Sequence, residues 1–180
     1  MNLKGSLHIT RALVNYHILT MINFILNNDQ INYTGYPDKS LLDYIRNNKR
    51  LTAAKDGCSG QGVCGACTVE INGEAKLACL IKMAKLNHAE VYTMEGFPTY
   101  VKETIAAAFV NKGAVQCGFC IPGMIVSSYA LLSRDATDDP GRIRDAHAGN
   151  ICRCTGYEKI VEAVQAAAEQ WPDDTKEATS

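Results

Sequence analysis

From Met21 onward, apolar and polar positions alternate. Ile22, Phe24 and Leu26 fall on one side, the Asn27-Asn28-Asp29 cluster turns the chain, and Ile31 and Tyr33 resume the pattern, which predicts a strand hairpin. Ser40 then stands where a helix N-cap would, with Asp43 at the third helical position and Leu41, Leu42 and Ile45 as an apolar face. After a glycine-rich stretch from Gly57 to Gly65, Thr68 to Ile71 and Ala75 to Leu80 flank Asn72-Gly73. Such a pair is a strong hairpin signal, because both central residues of the turn need positive φ. A further strand near Val91 and Tyr92 completes a small mixed sheet.

Past Pro98 the period lengthens from two to about 3.6 residues. Val101, Ile105, Ala108 and Phe109 make one helical face, and Ile125, Val126, Tyr129 and Leu132 make another that starts just after Pro122. Asp139-Pro140 reads as a cap followed by proline at the first helical position, ahead of Ile143 and Ala146. Tyr157, Ile160, Val161, Val164, Ala167, Ala168 and Trp171 trace the stripe of a last helix. Four helices imply a bundle. The predicted class is therefore α+β, divided into an extension over residues 1–20, a sheet domain over 21–96, a helical domain over 97–171 and a polar tail over 172–180.

Composition narrows the function. A chain of 180 residues that is 47% hydrophobic is long enough for one ordinary domain or two small ones. Its 18 basic and 19 acidic residues are spread along the sequence, with no basic run to neutralise phosphates, so a nucleic-acid partner is not expected. No stretch reaches the roughly eighteen consecutive apolar residues of a membrane span. Residues 1–20 carry a weak apolar pattern in Leu13, Val14, Tyr16, Ile18 and Leu19, without the compact apolar core or small-residue cleavage site of a signal peptide. They read as a peripheral extension or an upstream start before Met21.

The eight cysteines change the picture most. They form two quartets, Cys58, Cys64, Cys67, Cys79 and Cys117, Cys120, Cys152, Cys154, with none left over. The first, Cys58-x5-Cys64-x2-Cys67-x11-Cys79, is close to the plant-type ferredoxin arrangement, in which one loop supplies three thiolates and a strand the fourth. With Asn72-Gly73 as a two-residue turn, the register sets Cys79 opposite Ala66 and next to Cys67. Gly57, Gly60, Gly62 and Gly65 allow the backbone to approach inorganic sulfide and aim amides at it. Gly60 to Gly65 also matches the dinucleotide fingerprint G-x-G-x-x-G, but it is threaded with cysteines and leads into a strand rather than a helix. Four thiolates also suit zinc, although zinc sites usually use two compact Cys-x2-Cys pairs. A Rieske centre needs histidine ligands, and His8, His17, His88 and His147 all lie outside the cysteine motifs.

In the second quartet, Cys117 and Cys120 sit just before the predicted helix at Pro122, where the positive helix terminus favours thiolate. Cys152 and Cys154 lie between a helix ending near Gly149-Asn150 and one beginning near Tyr157. By spacing alone this set is only moderately specific, and zinc stays open.

The strings GVCGACTV at 62–69, QCGFCIPGM at 116–124 and CRCTGY at 152–157 resemble, in order, the three signatures of the small iron-sulfur subunit of the xanthine oxidase family of molybdenum hydroxylases. The similarity covers Met21 to about Trp171. It implies a 2Fe-2S ferredoxin-like β-grasp domain, then an all-α four-helix bundle domain binding a second 2Fe-2S cluster near the molybdopterin. It further implies that Gln116 and Cys154 contact the pterin of a large molybdenum-cofactor-binding subunit, that the eight cysteines are the cluster ligands, and that an FAD-binding subunit is a further partner. Electrons would pass from the molybdopterin centre through the two clusters to FAD or an external acceptor. The chain would hold no catalytic residue, and substrate-binding groups would lie on the large subunit. The family's first loop is usually one residue shorter than the five residues Ser59 to Val63 found here, which bears on the hydrogen bonds around the first cluster more than on ligation. A free-standing two-cluster carrier and a zinc-stabilised interaction module are the competing readings. The cytoplasm is the expected compartment, since reduced thiols persist there.

Overall fold

The computed structural model describes residues 21–172. The readings of residues 1–20 and of nearly all the tail lie outside the described residues. Strands β1 (Ile22–Leu26) and β2 (Asp29–Tyr33) pair antiparallel across Asn27 and Asn28, both at positive φ. Asparagine tolerates that left-handed geometry better than most residues. Strands β3 (Thr68–Ile71) and β4 (Glu74–Leu77) form a second hairpin over Asn72-Gly73, as the turn chemistry requires. Strand β5 (Glu90–Tyr92) lies between the hairpins, parallel to β1 and antiparallel to β3, so the sheet order is β2-β1-β5-β3-β4.

Helix α1 starts as Leu41–Asp43 and continues as a wider π-helical turn over Tyr44–Asn48. Its predicted cap is present: Ser40 Oγ accepts the amide N–H of Asp43 at 3.1 Å. Phe24, Leu26, Leu41, Ile45, Val69 and Val91 share one buried core, and Tyr44 meets Phe24 and Tyr33 edge-on at 6.0 and 5.2 Å. One expectation needs correction. Strand β4 stops at Leu77 rather than running to Leu80, because the chain turns there: Ala78 N–H still donates to Cys67 O, but Leu80 N–H folds back onto Leu77 O at 3.0 Å. Cys79 therefore lies in a turn beyond the end of the ladder.

Among the described residues, four helical segments follow Phe97. Helix α2 runs over 99–111 with a π-helical stretch at Lys102–Ala106, and α3 spans Ile121–Arg134. Helix α4 is Pro140–Ala146 and α5 is Glu158–Glu169. Helix α3 starts one residue before Pro122, which takes an early position where no intrahelical N–H is lost. Asp139 accepts the Arg142 N–H at 2.8 Å and caps α4. Val101, Ile105, Phe109, Met124, Leu132, Ile143, Ile160 and Val164 form a second buried core, distinct from the first. Tyr157 is not part of the last helix's stripe: it is the residue before α5, left-handed and exposed.

Helix α3 lies against β3, so all four residues of that strand are buried. The approach is close enough to require glycine on both sides. A Cβ on Gly65, which has φ +71°, would sit 2.2 Å from Gly149 O, and one on Gly123 would sit 2.5 Å from Gly65 O. Gly73 has a similar φ of +83° but faces open space. Gly73→Ala should then cost only the backbone strain, about 1 kcal/mol. Gly65→Ala should cost clearly more, at or above about 3 kcal/mol, as strain and backbone collision add. Thermal unfolding of the two variants checks the order.

Candidate functional site

The loop between α1 and β3 carries Cys58, Cys64 and Cys67, and the turn after β4 brings Cys79 beside Cys67. Ser59, Gly60 and Gly62 all take positive φ, and the loop is closed by Gln61 N–H donating to Cys58 O. The amides of Val63, Cys64 and Gln61 also point at Cys58 Sγ, and these donors, Val63 first, bring that thiol down to about 7. Cys67 is the opposite case. Burial pushes it up to about 12, and Cys64 is raised for the same reason. Within the set, Cys58 is hydrogen-bonded to Cys64 and Cys67 to Cys79.

In the second set, buried Cys120 stands at the N-cap position of α3 without a side-chain capping bond, and Cys117 is exposed three residues earlier. Cys152 is buried and Cys154 exposed. The partners are again two pairs, Cys117 with Cys154 and Cys120 with Cys152. The expected depression of thiol pKa at the helix start holds for Cys117, whose Sγ accepts the Phe119 N–H. It fails for Cys120, which burial drives to about 12. Burial also opposes the charged form of Cys152, but hydrogen bonds from Thr155 and the Cys154 amide outweigh it. Thr155 Oγ1 lies 3.1 Å from Cys152 Sγ, and the Tyr157 hydroxyl accepts the Cys152 N–H at 2.9 Å.

Within each set the thiols approach in pairs, and the pairs also act on one another, Cys64 on Cys67 and Cys117 on Cys120. Four cysteine thiols are a donor set that would suit a 2Fe-2S cluster and that would also suit a structural zinc. A cleft of about 250 Å³ lined by Gly57, Cys64, Phe119, Cys120, Cys152 and Cys154, among others, joins the two sets. Lys55, from the first half, lies 5.9 Å from the centre of the Phe119 ring. Gln116 is exposed beside Cys117, and Cys117 touches Cys154, so the two residues tied by resemblance to the pterin share one patch of surface.

The residues that the pattern did not single out are Thr68, Ser127, Asn150, Thr155 and Lys55. Thr68 and Thr155 had a local signal, their places within GVCGACTV and CRCTGY. His147 is buried and satisfied, with Nδ1 2.8 Å from Ile143 O and Nε2 3.0 Å from Ser128 Oγ.

A ferredoxin-type half and paired cysteine thiols define an electron-carrying iron-sulfur protein. Comparison with known proteins agrees. A family model described as a 2Fe-2S iron-sulfur cluster binding domain matches residues 26–107, and one described as a 2Fe-2S binding domain matches 93–165. The chain is 41% identical to the nicotinate dehydrogenase small FeS subunit of Eubacterium barkeri, over 83% of this chain and 95% of that one. It is 37% identical to the isoquinoline 1-oxidoreductase subunit alpha of Brevundimonas diminuta, over 83% and 99%. Among solved structures, the aldehyde oxidoreductase of Desulfovibrio desulfuricans superposes with a TM-score of 0.77 at 39% identity; the match covers 83% of this chain and 17% of that longer one. The chain belongs to the 2Fe-2S iron-sulfur subunits of the xanthine oxidase family of molybdenum hydroxylases. It is the electron-transfer member of an oxidoreductase complex.

Burial holds His147 below the ordinary histidine value, ahead of the opposing hydrogen bonds to Ile143 O and Met124 O. The unfolded chain takes up a proton near about pH 6.5 that the native chain refuses. The unfolded state therefore binds more protons, and stability present above that pH is lost as pH falls below it, by at most about 1.4 kcal/mol per pH unit. Unfolding followed between about pH 7.5 and about pH 5.5 should show this loss, and His147→Gln should flatten it.

Proposed function

We propose that residues 21–96 form a β-grasp domain whose Cys58, Cys64, Cys67 and Cys79 hold one 2Fe-2S cluster. Residues 97–171 form a four-helix bundle domain whose Cys117, Cys120, Cys152 and Cys154 hold the second. The donor sets fit: each offers two thiol pairs, with backbone amides aimed at sulfur. When bound, the clusters supply one-electron oxidation and reduction and no bond chemistry on a substrate. The chain's own part is to ligate, to orient amide donors toward sulfur and to exclude water. Buried Cys67, Cys120 and Cys152 do the last of these, while Cys117 and Cys154 face outward.

The observation that carries the partner is the surface around those outward thiols. Val115, Phe119, Ile151 and Tyr157 expose 38–55% of their area beside Gln116, Cys117 and Cys154. An apolar rim around a redox centre costs solubility unless another protein covers it. The partner is a large molybdenum-cofactor-binding subunit, with Gln116 and Cys154 toward its pterin; the names of the relatives above, as small or alpha subunits, point the same way. An FAD-binding subunit or an external acceptor takes the electrons onward. Among the described residues no helix is long and apolar enough to cross a membrane, and the cytoplasm is the proposed compartment.

The natively purified complex, reduced with dithionite, should give two distinct 2Fe-2S signals in low-temperature EPR with about four irons per copy of this chain. Cys154→Ala should remove one signal and spare the other, and Cys79→Ala should do the reverse. A zinc-loaded, EPR-silent chain would sink the reading.

A further inference from the structure

One buried polar side chain links the two halves. Asn150 is buried, at 5% exposure, and its carboxamide makes three hydrogen bonds. Nδ2 donates to Gly65 O at 3.0 Å and to Thr68 Oγ1 at 3.1 Å, and Oδ1 accepts from Ser127 Oγ at 2.8 Å. Thr68 in turn donates its hydroxyl to Gly65 O at 2.7 Å. The network sets the direction of the amide: turned over, Oδ1 would face the Gly65 carbonyl with no proton between them. One residue along, Ile151 N–H donates to Cys64 O at 2.9 Å.

These contacts bind three pieces of backbone at their closest approach. Gly65 follows Cys64 of the first quartet, Ser127 lies on the helix that Cys120 opens, and Asn150 stands two residues before Cys152. A buried amide with both N–H donors and its carbonyl oxygen engaged is held in place, since moving any of the three pieces strands a polar group at about 1–3 kcal/mol. Apolar packing of α3 on β3 brings the halves together but has no comparable preference for one sliding position.

Resting on the two-cluster reading above, we propose that Asn150 is a positioning residue for electron transfer. It sets the separation and orientation of the two cysteine quartets while ligating neither cluster. Asn150→Asp tests this, because the side chain keeps its shape but loses both N–H donors. Thr68→Val is a gentler second variant that removes one acceptor and keeps β-branching in β3.

Both variants are made in the complete complex. Iron content and the individual EPR signals are measured first, then the magnetic interaction between the clusters when both are reduced, and the rate of electron equilibration between them. The expected result is about four irons per chain and both signals unchanged, with a smaller magnetic interaction and equilibration slowed by about tenfold, in line with the sensitivity of reacting geometry to shifts near 1 Å. Thr68→Val should show the same change in smaller degree. If either variant assembles both clusters with the interaction and rate of the natural protein, Asn150 has no positioning role, whatever its effect on stability. If Asn150→Asp does not assemble, Thr68→Val alone decides between these results. Absence of two signals in the unsubstituted complex would instead overturn the two-cluster reading.

Discussion

The close backbone approach between the Cys64-Gly65 loop and the Gly149 to Cys152 segment organises this molecule. Neither Gly65 nor Gly123 has room for a single added carbon, and the carboxamide of Asn150 fills the polar needs of what meets there. Two cores that share no residue, one built on the sheet and one on the helices, meet in one register because of this contact. Without it each quartet would still have its local scaffold, but the relation between the quartets would rest on apolar packing, which is non-directional.

The same contact explains the chemistry of β3. Alternation in the strand leaves Thr68 and Glu70 on the face away from the first core, where water would ordinarily solvate them. Helix α3 covers that face, so both are buried and each needs an internal partner. Thr68 finds Gly65 and Asn150, while Glu70 accepts the Gly73 N–H in the hairpin turn. Burial raises the Glu70 carboxyl above the ordinary glutamate value, the expected direction for a carboxylate taken out of water.

Four of the thiols divide by the same balance of burial and hydrogen bonding. Cys58, partly exposed, and Cys117, exposed, accept amide N–H groups and are lowered, whereas Cys67 and Cys120 are buried and raised. Each quartet therefore combines wet, amide-stabilised sulfurs with dry ones. In the proposed clusters, iron would neutralise thiolate charge that burial alone would not tolerate, so the dry cysteines would need the metal more than the wet ones. The two quartets share this plan although one is built on a loop and strand turn and the other on helix ends.

Most of the local structure was legible in the sequence, because it depends on near neighbours in the chain. The hairpin at Asn72-Gly73, the Ser40 and Asp139 caps, the change of period after Pro98 and the grouping of the cysteines into two quartets are all written in residues a few positions apart. What depended on long-range packing was not legible. The end of β4 at Leu77, the left-handed Tyr157 that caps rather than packs, the buried Cys120 and the cross-linking role of Asn150 are decided by groups far away in sequence; Asn150 and Gly65 are separated by 85 positions. Periodicity records which face of an element is apolar, and spacing records which ligands a loop can gather. Neither records which backbone atoms of a distant segment a polar side chain will meet, because that partner exists only once the two cores have docked.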